Sequence, residues 1–158
     1  MLISIDLGSR NLAYSLIQKS SQVNKYDLIK VEYLKMTQPK IGDRLVQIYS
    51  TLEKEIVENK PSAIIFEDGV FRGNNAPALN YVAGVFHLLA SKQNLPIYAP
   101  KPTEIKKLAV GSGKADKADV EQAVREWLVN PPESFLNDHC SDAICIGIYA
   151  YLKWPKLE

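Results

Sequence analysis

Two short apolar runs, each stopped by an acid, constrain this chain most. Leu2-Ile3-Ser4-Ile5-Asp6 runs into Leu7-Gly8, and Ala63-Ile64-Ile65-Phe66-Glu67 runs into a polar loop from Asp68 to Asn75. Short apolar runs bounded by turn residues read as buried core strands. A terminal acid then marks where the chain leaves the core and faces a cleft beyond the sheet. Asn11 to Gln18 and Tyr26 to Leu34 are rich in β-formers and separated by polar residues, which predicts two further strands of an antiparallel meander.

From Ile41 the period changes. Ile41, Leu45, Ile48, Leu52 and Ile56 form one apolar stripe on a helix that Lys60-Pro61 ends. Leu79, Val82, Phe86 and Leu89 mark a second helix, with Pro77 tolerated in its first turn. Pro96 to Ala99 reads as a short strand, and Thr103 as the cap of a short helix through Leu108. Val120, Ala123, Val124 and Trp127 carry the next helix, and Asp138 to Leu152 the last. The whole, residues 1–158, is expected to be a single domain.

Composition excludes more than it identifies. The net charge is +1, so a polyanionic partner must be read from local charge. No apolar run approaches the roughly 20 residues that cross a bilayer, and MLISIDLGSR lacks the features of a signal peptide. No membrane partner is expected. Cys140 and Cys145, five apart, make neither a zinc pattern nor a disulfide framework. They read as reduced thiols of a cytoplasmic protein.

Three acids fall where chemistry is done. Asp6 and Glu67 terminate strands, and Asp142 sits near the start of an apolar helix with Asp138 at i−4 and His139 at i−3 on its face. Brought together, three carboxylates repel unless a cation lies between them. Hard oxygen donors favour magnesium, with manganese as its substitute. Each acid alone is also explained as a solvated strand end or by the helix dipole.

Ile5-Asp6-Leu7-Gly8-Ser9-Arg10-Asn11, Ile65-Phe66-Glu67 with Val70-Phe71, Val110-Gly111 with Ala115-Asp116-Lys117-Ala118-Asp119-Val120, and His139-Cys140-Ser141-Asp142-Ala143 together resemble the bacterial RuvC family of Holliday-junction resolvases. The likeness runs in order from Ile3 to about Tyr149. It implies an α/β, RNase-H-like fold with a mixed five-stranded sheet flanked by helices. It also implies a homodimer and a two-metal endonuclease acting on four-way or branched DNA. Asp6, Glu67 and Asp142 match three of the family's metal ligands. His139 stands at the position of the remaining one, with Asp138 beside it as the fallback. Leu7, where cellular members commonly have proline, and an extra residue before Phe71 depart from the pattern. They fit a divergent or phage-encoded form, and the resemblance leaves open any dependence on RuvA and RuvB.

Lys101 to Lys117 holds five lysines against Glu104 and Asp116, around Gly111-Ser112-Gly113. A charge run is often only a solvated face, but a Gly-Ser-Gly loop lets backbone approach a phosphate. The resemblance places Lys106 and Lys117 at catalytic basic positions, with Lys107 and Lys114 adding phosphate contacts. Phe71 and Arg72 complete the expected DNA-binding set, Phe71 as an apolar wedge at the junction centre. The rival readings are a less specific nuclease cutting Y and flap structures, an RNase-H-type hybrid nuclease, an actin-like ATPase, and a non-catalytic junction-binding module. The ATPase reading needs a second phosphate loop for which the chain has no room.

Overall fold

In the computed structural model, which describes residues 1–68 and 76–157, both acid-terminated runs lie side by side in one sheet. The strands are β1 (Leu2–Asp6), β2 (Asn11–Lys19), β3 (Tyr26–Lys35), β4 (Ile64–Phe66) and β5 (Ile97–Tyr98). Their order across the sheet is β3-β2-β1-β4-β5. The β1-β2-β3 meander is antiparallel, whereas β1-β4 and β4-β5 are parallel. The sheet is therefore mixed, as expected.

The helices are α1 (Ile41–Asn59), α2 (Ala76–Gln93), α3 (Pro102–Ala109), α4 (Lys117–Trp127) and α5 (Asp138–Lys153). Strand alternation sorts the core into two layers. Ile3, Ile5, Ile64 and Phe66 face α1 and α2, with Ile48, Leu52, Val82 and Phe86. Leu2, Ile17 and Ile65 face α3, α4 and α5, with Ile105, Val124, Ile144 and Ile148. Asp6 shares parity with Leu2, and Glu67 with Ile65. Both acids therefore belong to the face that α5 covers.

Helix ends follow local chemistry. Lys60 closes α1 in the left-handed region, with φ 50°, before Pro61. Asp116 caps α4 through a capping box with Asp119, and Asn137 caps α5 by accepting from Cys140 N. The expectation that Thr103 caps the third helix is corrected. That helix begins two residues earlier, because Pro102 fits the first helical turn and Lys101 is the N-cap.

A stripe of small residues seats α5 on the sheet. His139, Ala143 and Gly147 recur every four residues on one helix face. The Ser15 hydroxyl donates to the Ala143 carbonyl at 3.4 Å. A Cβ on Gly147 would lie 2.6 Å from Ile17 Cγ2 and 2.7 Å from Ser4 Oγ. The turn after β1 is equally tight: a Cβ on Gly8 would meet the Asn11 carbonyl oxygen at 1.6 Å. Only glycine fits either place.

Candidate active site

The last rung of the β1-β4 ladder pairs Ile5 with Phe66. Asp6 and Glu67 follow directly, so two parallel strands deliver their acids to one level at their carboxyl ends. The N-terminus of α5 stands over the same edge. His139 Nδ1 and Asp6 Oδ2 are 2.7 Å apart, which ties helix to strand across the predicted site. One turn on, Asp142 feels the charges of Lys106 and His139 and raises the proton affinity of both Asp6 and Glu67.

Burial and mutual repulsion dominate the electrostatics. Burial pushes the Asp6 carboxyl up to about 6; the His139 hydrogen bond opposes that rise and the Asp142 charge adds to it. Glu67 is pushed up to about 7 by burial, then by Asp6 and Asp142, with Lys106 pulling the other way. Burial also raises Asp142, again against Lys106. Three acids are thus held in a partly desolvated place, each resisting ionisation chiefly because it is buried, with Asp142 adding to the rise of Asp6 and both adding to that of Glu67.

The basic segment divides. Lys106 donates to the Ala115 carbonyl at 3.0 Å, and its charge lowers the proton affinity of Glu67 and Asp142. Lys117, in the first turn of α4, donates to Asp138 and forms an ion pair with it. That pairing holds the Asp138 carboxyl below the usual range and raises Lys117. Lys107 and Lys114 are exposed. Phe71 and Arg72 lie outside the described residues.

The donor set suits a hard divalent cation. Among the described residues no three His, Cys, Asp or Glu side chains are gathered as a ready-made metal-binding group. The carboxylates nevertheless share one edge and carry a charge conflict that a cation relieves. Cys145, close enough to feel Asp142 and Glu67, is buried and its thiol is pushed up to about 12. A neutral thiol is a poor ligand, so the set is oxygen and imidazole, without thiolate.

The structure adds neighbours that sequence reasoning missed. Asp6 pairs with Ala13 on β2, and Ala13 with Tyr33 on β3. The Tyr33 ring is stacked on His139, with centroids 5.8 Å apart and an interplanar angle of 11°, and its hydroxyl donates to Asn11 Oδ1 at 2.6 Å. A groove of about 460 Å³ runs beside this row, past Gly8, Arg10, Asn11 and His139 to the start of α2.

The sequence makes the helix from Ala76 to Lys92, with Leu79, Val82, Ala83 and Phe86, the expected face of the homodimer, and the structure corrects this in part. Val82 and Phe86 are fully buried in the protein's own core against the sheet, so neither is available to a partner. The outward stripe of that helix is Tyr81, Gly84, Val85 and Leu88, with Tyr81 and Leu88 each more than half exposed.

Comparison with known proteins agrees over nearly the full chain. The family model described as "Crossover junction endodeoxyribonuclease RuvC" matches residues 2–150. A protein of that name from Desulfitobacterium hafniense is 30% identical over 153 residues, covering 94% of this chain and 90% of the relative. One from Pseudothermotoga lettingae is 32% identical over 152 residues, covering 93% and 91%. Among solved structures, T. thermophilus RuvC in complex with a Holliday junction substrate superposes with a TM-score of 0.86 at 24% identity, covering 96% and 93%. The fowlpox virus Holliday junction resolvase gives 0.63 at 16% identity, covering 96% and 97%. These two likenesses bear on the fold, which is RNase-H-like.

Proposed function

The chain belongs to the RuvC family of crossover junction endodeoxyribonucleases, and from that membership we infer a metal-dependent nuclease that resolves Holliday junctions in DNA recombination and repair. Paired symmetric nicks leave 5′-phosphate and 3′-hydroxyl ends. In our reading, residues 1–158 work as one nuclease domain in the bacterial or phage-infected cytoplasm. Among the described residues no helix is long and apolar enough to cross a membrane.

The observation that carries the site is the common edge shared by Asp6, Glu67 and the start of α5, with His139 bonded to Asp6. Asp6, Glu67, His139 and Asp142 would hold two magnesium ions, with Asp138 already engaged by Lys117. Such ions supply an activated water and charge compensation at the leaving 3′ oxygen. The chain's own side chains do the rest. Lys106, whose charge is felt by Glu67 and Asp142, offsets charge developing on the scissile phosphate. Lys117, Lys107 and Lys114 hold the backbone on either side without reading sequence.

An end-labelled four-way junction, incubated with and without magnesium, tests this reading. Cleavage should require the metal. Asp6→Asn, Glu67→Gln and Asp142→Asn should each abolish it while junction binding survives, because phosphate contacts supply most affinity. Normal cleavage by any of the three overturns the site.

A further inference from the structure

We propose that Tyr33 is a positioning residue for His139, fixing the plane of the imidazole so that Nδ1 meets Asp6 and Nε2 is left to face the site. The proposal rests on the reading of His139 as a metal ligand and extends it to β3, the strand two removed from Asp6.

The register supports it. Asp6, Ala13 and Tyr33 form one row across β1, β2 and β3, and residues directly opposite in a ladder share a face. Two strand spacings separate the outer members, roughly 10 Å. Between them Ala13 carries only a methyl group and is fully buried beneath Cys140 and Ala143 of α5. That leaves a slot about one ring wide. The His139 imidazole occupies it, bonded to Asp6 at one end and stacked on Tyr33 at the other.

One hydrogen bond leaves a ring free to swing about it, and the His139 side chain is 35% exposed. A second contact, the offset parallel stack on Tyr33, restricts that freedom. Tyr33 can supply it because its own hydroxyl is anchored to Asn11 at the start of β2. Groups that orient a ligating histidine are usually carboxylates or carbonyls on its second nitrogen. Here that nitrogen meets Asp6, itself in the proposed ligand set, so the independent constraint comes from the aromatic face.

The test uses the full chain and has two readouts. The protein contains two histidines, His87 and His139, so the ring resonances of His139 are assigned by comparison with His139→Ala. In metal-free protein, Tyr33→Leu should move those resonances downfield as the ring current is lost, while Tyr33→Phe keeps them near their original place. In single-turnover junction cleavage, Tyr33→Leu should lose about tenfold in rate, in line with the loss of a ligand-orienting partner. Tyr33→Phe should stay within about threefold, and the junction Kd should not change in either.

Tyr33→Val, a β-branched substitution suited to a strand, serves where Tyr33→Leu does not fold. It should move the same resonances in the same direction. Unmoved His139 resonances, full activity in Tyr33→Leu, or equal losses in the Phe and Leu variants overturn the proposal. A chain that cleaves no junction in its unaltered form overturns the proposed function instead, and the metal-free resonances then decide the role of Tyr33 by themselves.

Discussion

Gly147 of α5 rests on Ser4 of β1 so closely that a Cβ there would lie 2.7 Å from the serine hydroxyl. Two helical turns toward the N-terminus, the same helix face presents His139 to Asp6. Seating depth and site geometry are therefore one property. Alanine in a helix interior normally gains about 1 kcal/mol over glycine. At this position overpacking costs roughly 1–3 kcal/mol, so the sign reverses. Gly147→Ala should lower stability to urea and slow cleavage well below its own melting temperature. Gain of stability would show that α5 can lift off the sheet at no cost.

Asp138 and His139 compete for the role of fourth ligand, and their surroundings differ. Asp138 is bound to Lys117, while His139 is bonded to Asp6. His139→Ala should lower the cleavage rate by about 100-fold or more, as removal of a ligand does. Asp138→Ala should lose only about tenfold, through a less fixed Lys117. The rates of the two variants, measured side by side in saturating magnesium, check this, and the reverse order would shift the ligand set by one residue.

Asp6 and Glu67 were legible because each sits at the end of an apolar run whose length fixes where the chain leaves the core. Leu2–Asp6 is found as read, and Glu67 falls one residue past β4. Tyr33 was not legible, for a reason of register. At the β2-β3 turn Lys19 pairs with Tyr26 and Ile17 with Leu28, and counting on from there places Glu32 opposite Ala13. An irregularity between Leu16 and Ile17 slips the ladder by one and brings Tyr33 there instead. A one-residue slip exchanges the faces of a strand, and no composition signal announces a bulge. The outward stripe of α2 was missed for a different reason. That helix is apolar on both sides, so its periodicity could not tell core from surface.

The Glu67 carboxyl, at about 7 against an ordinary 4.5, means that the folded metal-free protein binds this proton more tightly than the unfolded chain. Stability from this group is therefore greatest below about pH 4.5 and declines as pH rises through 7. Glu67→Gln removes the charge and with it the decline. In EDTA at pH 8 the variant should be more stable than the unaltered protein by about 1–3 kcal/mol. The difference should vanish near pH 4. Thermal melts across that range check it, and a variant that is less stable at pH 8 would mean that Glu67 holds a compensating partner.

A junction is nearly two-fold symmetric, so paired nicks require two sites related by a two-fold axis. The surface of α2 offers the contact. Tyr81 is 55% exposed and Leu88 57%, on one stripe with Gly84 between them. Among the described residues, a Cβ on Gly84 would meet nothing within 4 Å, so no contact with them accounts for the glycine. In a helix interior it costs about 1 kcal/mol relative to alanine, a cost that a dimer contact here would offset by letting a second helix approach closely. Leu88→Glu should therefore give a folded monomer by sedimentation. It should keep the melting behaviour of a soluble domain, because Leu88 lies outside both core layers, yet lose coordinated cleavage. Residual product should carry single nicks rather than the opposed pair that ligase reseals into two duplexes. Paired, ligatable nicks from a monomeric Leu88→Glu protein would exclude α2 as the dimer face and require the two-fold axis to pass through another element.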